Sequence, residues 1–188
     1  MAFRLRFVVA CTATLLATGC AQLMAPPYSA DYTSLDGLKA SQPEKTSVAV
    51  FQPTDPNHAV NNLNLRGAQF KSPSGSFAKY LEDALIDDLK EISVYDAGAR
   101  TRIGAVIQRN EMAIGGIHTG EGFMDVELTV TRAGTERLRK TYQARTSFES
   151  SFAGAVAIPK GQIEYPSLVR TLLRNVYTDP AFVAAIAK

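Results

Sequence analysis

Apolar and polar side chains alternate from residue 123 to residue 150, and this alternation is the most informative feature of the sequence. A period of two is expected for β-strands that have one face in water. The residues Ala133-Gly134-Thr135 interrupt the pattern and predict a hairpin turn. Folding about Gly134 places four pairs opposite each other: Val130 and Leu138, Val126 and Tyr142, Thr129 and Arg139, and Glu127 and Thr141. In this register Lys140 faces the apolar side, so we expect either that its side chain reaches back to water or that a bulge turns it outward.

A helical period of apolar residues marks two further segments. The first helix is predicted to start at Ser72-Pro73, a capping residue followed by proline, and to continue to Ile92. The second is predicted to start at Tyr165-Pro166, after a connection rich in glycine and alanine. A last short helix is predicted from Pro180, with Asp179 as its N-cap. Three shorter apolar stretches, 46–52, 93–95 and 102–112, predict additional strands.

The order of these elements is strand, helix, three or four strands, helix, short helix. The simplest way to bury their apolar faces is an α+β fold. We therefore predict a mainly antiparallel sheet of four to five strands with two helices packed on one face, plus a short C-terminal helix. With 46% hydrophobic and 20% charged residues the composition suits one globular domain, which we assign to residues 46–188.

The N-terminal residues have the features of an export signal. Arg4 and Arg6 precede an apolar run, 7–16, that is too short to span a bilayer. The segment Ala17-Thr18-Gly19 then leads to Cys20 and resembles a bacterial lipobox, although alanine stands where leucine is most common. The resemblance implies that residues 1–19 are a lipoprotein signal peptide and that Cys20 carries diacylglycerol and a further acyl chain. The alternative is an ordinary secretory signal that leaves a free thiol.

Charge and cysteine content narrow the possible partners. Cys11 lies within the predicted signal peptide, so the mature chain keeps Cys20 alone and forms no internal disulfide. Removal of Arg4 and Arg6 leaves 18 basic against 18 acidic side chains and lowers the formal charge from +2 to zero, which argues against a nucleic-acid partner. Ala21, rather than aspartate, follows the cysteine, and by analogy with enterobacterial sorting this favours the inner leaflet of the outer membrane, facing the periplasm.

Residues 20–45 are predicted to form a lipid-anchored flexible tether. This segment is rich in Pro, Ser, Ala and Gln, and Pro26, Pro27 and Pro43 interrupt regular structure. Fully extended, about twenty residues would span up to about 70 Å.

Two stretches, GFMDVELTVTRAGTERLRKTYQARTSFE and LVRTLLRNVYTDPAFVAAI, follow the early strand and amphipathic helix in an order that resembles the YajG-type lipoproteins of Gram-negative bacteria. The resemblance covers the chain from about Val48 onward and implies a lipid-anchored envelope protein. It brings no known reaction and no catalytic residues. Related shapes occur among auxiliary lipoproteins of ABC-type lipid transporters, which are the alternative functional class.

The residues themselves favour a non-catalytic protein without metal or cofactor. Only His58 and His118 are present, each in a polar loop, and no Cys/His cluster has the spacing of metal ligands. The glycine-rich segment IGGIHTGEG lacks the spacing of a phosphate-binding loop and favours a flexible connection between strands. One acidic group is interpreted as an exposed helix face next to Lys79 and Lys90: Glu82, Asp83, Asp87 and Asp88.

Two places are candidates for binding an envelope protein or glycan. The first is the loop 53–71, which contains Arg66 and Phe70; the second is a row on the polar sheet face formed by Arg137, Arg139 and Arg145. The alternatives are a solvated loop and a ladder of charges in which Glu127 and Asp125 neutralise the arginines. A lipid-transport accessory would instead require an apolar groove for an acyl chain.

Overall fold

The computed structural model describes residues 22–188. It contains seven strands: β1 (Leu23–Met24), β2 (Thr46–Val48), β3 (Leu63–Leu65), β4 (Ala68–Lys71), β5 (Thr101–Ala113), β6 (Thr119–Arg132) and β7 (Thr135–Glu149). The four α-helices are α1 (Tyr32–Ala40), α2 (Phe77–Glu91), α3 (Gly154–Tyr177) and α4 (Pro180–Ile186), and one 3-10 turn spans Ala59–Asn61. Within this part of the chain no helix is both long and apolar enough to cross a bilayer.

The larger sheet has four strands in the order β2-β5-β6-β7. Strand β2 runs parallel to β5, and the other neighbours are antiparallel. Apolar residues of β5, β6 and β7 face α2 and α3, and the apolar core fills this interface. The α+β class is therefore confirmed, while a second, three-stranded sheet in the order β1-β4-β3 was not predicted.

The predicted hairpin register is confirmed. All four predicted pairs are in register across β6 and β7, and the chain turns at Ala133-Gly134, where both residues have positive φ. A register shift follows Val130, so that Arg137 is the extra residue of a bulge. Lys140 lies opposite Leu128, and its Nζ extends past the apolar face to Asp179 Oδ2 at 2.8 Å. Of the two outcomes considered for Lys140, the long side chain reaching outward is the one found.

Except for the last helix, the predicted helices begin at residues other than those expected. Helix α2 is capped by Ser76, whose Oγ accepts a hydrogen bond from the Lys79 amide at 3.0 Å, and not by Ser72. Helix α3 begins at Gly154, ahead of the predicted start at Tyr165, and it contains Pro166 in its interior. Tertiary packing explains this, because one face of the glycine- and alanine-rich first half, at Ala157 and Gly161, is buried: a Cβ at Gly161 would be 2.7 Å from Ile114 Cγ2. Asp179 caps α4 as predicted.

The prediction of a flexible tether is wrong for residues 22–45. Strand β1 pairs with β4, helix α1 buries Leu35 and Leu38, and the hydroxyl of Tyr28 donates to Asp88. The prolines suggested flexibility, but the leucines three residues apart form an apolar helix face that outweighs it. The folded part of the chain therefore begins before residue 46 and includes every described residue, while Cys20 and the predicted signal peptide lie outside the described residues.

Candidate functional site

The face of the four-stranded sheet that points away from the helices is the surface that carries most of the predicted binding residues. On this face Arg139 bonds Glu127 Oε1 at 2.6 Å and Glu136 Oε2 at 2.7 Å. Arg145 pairs with Glu121, which lies on the same face four residues before the expected partner Asp125. Both guanidinium groups are thus neutralised by carboxylates of the sheet. This arrangement is the ladder of charges that was the alternative to a binding surface.

Phe123 lies in the middle of this polar face and is contacted by two arginines. The guanidinium carbon of Arg109 is 4.2 Å from the ring centroid, and that of Arg145 is 5.0 Å away. Arg109 is in turn held by Glu111 at 2.6 Å. Cation–π contacts of this kind attract the two guanidinium groups to the ring. We name Arg109, Phe123 and Arg145 the aromatic cluster; its signal in the sequence is a phenylalanine in the polar phase of β6.

Arg137 differs from the other two arginines of the predicted row. It occupies the bulge of β7 and is exposed, and no ion pair within residues 22–188 involves it. The bulge therefore separates Arg137 from the neutralised ladder. Because its guanidinium forms no ion pair within residues 22–188, it remains available to bind a partner.

The prediction that Phe70 belongs to a binding surface is wrong, and Arg66, although exposed, is bound to backbone carbonyls of the domain. Phe70 is fully buried and packs on Phe77 and Tyr165, with ring centroids 5.4 and 5.6 Å away. The guanidinium of Arg66 donates to the carbonyl oxygens of four residues: Ile114 (3.0 Å), Gly116 (3.4 Å), Ser151 (2.8 Å) and Phe152. Arg66 therefore joins the β5–β6 loop to the β7–α3 loop, which is a structural role.

The acidic group on α2 is only half exposed, which corrects the interpretation as a solvated face. Asp83 and Asp87 are near Lys79 and Lys90 at the surface, as expected. Two other members are buried: Glu82 accepts a hydrogen bond from the Phe51 amide at 2.9 Å, and Asp88 is completely inaccessible.

Among the described residues, Asp88 is the carboxyl whose pKa departs most from its ordinary value. Its Oδ2 accepts hydrogen bonds from the hydroxyls of Tyr28 at 2.8 Å and Tyr177 at 2.7 Å. Burial raises its pKa to about 6 even though both hydrogen bonds act in the opposite direction. Through these two tyrosine hydroxyls the carboxyl joins the N-terminal segment to α2 and α3.

The remaining candidate chemistry serves local structure. His58 Nδ1 accepts from the Val60 amide at 3.4 Å, and the carbonyl of His118 accepts from the Ser150 amide at 2.8 Å. Among residues 22–188 no three His, Cys, Asp or Glu side chains are grouped so that they could hold a metal ion. The connection within IGGIHTGEG ends at Thr119, where β6 begins.

The interior between the sheet and the helices is filled. The void there has a volume of about 10 Å³ and is lined by apolar side chains such as Phe51, Leu85 and Leu172. That volume is no more than one water molecule needs. The larger concavities of the described chain, about 630 and 540 Å³, are open depressions beside Arg174 and beside Lys90.

No protein-family model and no curated protein matches the sequence. Several solved structures match the chain. A Xanthomonas campestris protein of the DUF330 family gives a TM-score of 0.51 at 12% identity, over 82% of this chain and 89% of the other. A Caulobacter crescentus CB15 protein described as a "putative lipoprotein" gives a TM-score of 0.43 at 15% identity, over 81% and 97%. At 12% identity the first likeness concerns the fold alone, and membership of the YajG-type family stays a prediction.

Proposed function

We propose that this protein is a non-catalytic lipoprotein of the Gram-negative cell envelope, anchored through acyl chains on Cys20 in the inner leaflet of the outer membrane. In this proposal the folded domain faces the periplasm and binds another envelope protein or a glycan. The observation that carries it is the lipobox-like segment ending at Cys20, only three residues before β1 starts. Two or more acyl chains hold a protein at a membrane stably, whereas one does not.

The filled interior supports binding at the surface. A lipid-transport accessory that shields an acyl chain inside the domain needs an apolar groove, and the void of about 10 Å³ between sheet and helices is far too small for one. The sheet face instead presents the aromatic cluster and Arg137, which forms no ion pair within residues 22–188, on three long strands. Rigid aromatic and arginine side chains are the residues most enriched in protein recognition surfaces.

The anchor is tested by metabolic labelling with palmitate in cells that express the full chain. The two cysteines provide a matched pair of variants: Cys20→Ala is expected to lose the label and the membrane association, while Cys11→Ala keeps both, because Cys11 is removed with the signal peptide. Equal labelling of the two variants, or no label in the unmodified protein, contradicts the proposal.

The binding surface is tested by photo-crosslinking in intact envelopes. A photoreactive amino acid replaces Thr141, which lies on the exposed sheet face, or Tyr32, which is 61% exposed on the helix side. We expect one defined adduct from position 141, none from position 32, and loss of the adduct when Arg137→Glu reverses the free charge. An adduct that is independent of the position and of the charge refutes recognition by this face.

A further inference from the structure

The chain enters the fold at one particular end of the molecule. Strand β1 runs parallel to β4, with Leu23 beside Phe70 and Met24 beside Lys71. Followed backwards from Leu23, the chain therefore heads toward Ala68 and the turn between β3 and β4. Cys20 is three residues before Leu23, and three residues span at most about 11 Å. The attachment point of a lipid on Cys20 is consequently no further than about 11 Å from Leu23, at the start of β1.

The same turn connects two loops. Arg66 in the turn binds the carbonyls of Ile114 and Gly116 in the β5–β6 loop and those of Ser151 and Phe152 in the β7–α3 loop. A backbone hydrogen bond of 2.8 Å from Ser150 to His118 joins the two loops directly. We call these three segments, residues 66–67, 114–118 and 150–156, the loop end. The hydrogen bonds make it one connected surface.

The loop end and its flank expose an unusual amount of apolar side chain. Phe152 is 80% exposed, Ile117 62% and Val156 44%. Met24 and Ile163 add to the patch from β1 and α3, which are joined by a 2.5 Å hydrogen bond from Gln162 to the Met24 carbonyl. These five are the majority of the eight large apolar side chains that are exposed in the described chain.

The charge distribution supports the same interpretation. The stretch SSFAGAVAIP, residues 150–159, contains no charged side chain, although much of it is exposed. A helix that begins in water normally places polar residues on its outer face, whereas α3 begins with Ala, Val and Pro there. Exposed apolar side chains that are grouped in this way are typical of a surface that contacts a membrane or a partner.

We propose that the loop end lies in the interfacial region of the bilayer, with Phe152 and Ile117 inserted beside the lipidated Cys20. This inference rests on the proposed function, because the lipid on Cys20 is what brings the bilayer to this end of the domain. The span from Cys20 to β1 is too short for a mobile tether. Transfer of apolar side chains from water into the interface lowers the free energy. The strands then extend away from the membrane and hold the sheet face at a fixed height.

The proposal is tested by electron paramagnetic resonance on the lipidated full chain after processing in the cell, reconstituted in phosphatidylethanolamine and phosphatidylglycerol vesicles. Lipidation consumes the Cys20 thiol, so an introduced cysteine is the single free thiol and takes one nitroxide label. Ala153→Cys places the label beside Phe152 without removing it. Thr135→Cys is the control at the start of β7, whose last residue, Glu149, is about 45 Å away by the rise of a strand.

We expect the label at position 153 to be accessible to oxygen and protected from a water-soluble nickel chelate, at a depth of about 5–10 Å within the interface. The label at position 135 shows the reverse. Combining Ile117→Ser and Phe152→Ser with the label at position 153 should move that label into water, while circular dichroism confirms the fold.

Four results separate the proposals, with the intact mass of each sample as a reference. Protection at position 153 in acylated protein supports the inference. In acylated protein, the label at position 153 could be as accessible to the nickel chelate as the label at position 135. That result overturns the inference and leaves the proposed anchor intact. A mass without fatty acid overturns both. Protection from both reagents together with spin coupling between labels identifies a second copy of the chain as the occupant and overturns insertion into the bilayer.

Discussion

Replacing Asp88 by asparagine removes a buried negative charge while it keeps the size and shape of the side chain. The carboxyl is inaccessible to solvent, and it accepts hydrogen bonds from Tyr28 and Tyr177. An amide can place its oxygen at the position of Oδ2 and still accept both hydrogen bonds, and its NH2 group then takes the place of Oδ1, which has no partner. The substitution therefore isolates the cost of holding a charge at this place.

The size of the expected change in stability follows from the pKa of Asp88, which burial raises from 3.8 to about 6. This difference corresponds to about 3 kcal/mol of preference for the neutral acid in the folded state. Because the folded state binds the proton more tightly than the unfolded state, the contribution of Asp88 to stability is largest below pH 4. It falls as the pH rises from about 4 to 6 and changes no further above that.

The free energy of unfolding of residues 22–188 is measured in urea at several values between pH 4 and 7.5. Far-UV circular dichroism is the suitable signal, because the chain contains no tryptophan. We expect Asp88→Asn to be nearly neutral near pH 4 and to gain about 2–3 kcal/mol relative to the unmodified protein at pH 7. The control is Asp87→Asn, whose exposed carboxylate should give a difference within about 0.5 kcal/mol at every pH. A difference for Asp88→Asn that is constant with pH, or that falls as the pH rises, refutes the reasoning.

Three further substitutions test other parts of the structure. Arg66→Lys should cost about 2 kcal/mol, because an ammonium group cannot bond four carbonyls at once, and hydrogen exchange should show faster opening of both loops; unchanged exchange contradicts the role of Arg66 as their connection. Gly161→Val should cost about 1–3 kcal/mol in urea unfolding, since its Cβ would start 2.7 Å from Ile114 Cγ2; a neutral effect means that this contact is loose. Arg139→Ala should cost less than about 1 kcal/mol, because its ion pair with Glu127 is at the surface, and a loss of several kcal/mol is incompatible with a screened pair.

The long hairpin was predictable from sequence, and the reason is local. Alternation over more than twenty residues fixes which face is buried, and Gly134, with φ of 83°, fixes the turn. The short strands β3 and β4 offer only three and four residues, too few for a period to be recognised. The sequence therefore does not reveal that Phe70, which alternates with solvent-facing neighbours in β4, lies in the core.

The buried members of the acidic group show which features can be predicted from sequence and which cannot. Asp88 is three residues after Leu85 and so falls within the apolar stripe of α2, a signal that helical spacing contains. Its partners Tyr28 and Tyr177 are 60 and 89 residues away in sequence, and no local pattern connects them. The same holds for the loop end, which becomes visible only when Arg66 joins two loops that are distant in the chain.

The most direct test of the account is the intact mass and N-terminal sequence of the mature protein isolated from native envelopes. We predict that the chain begins at Cys20 and carries a diacylglyceryl group on sulfur and a fatty acid on the new amino terminus. A mature chain that begins at another residue, or a first residue without fatty acid, contradicts the anchor and the membrane-facing arrangement that depends on it.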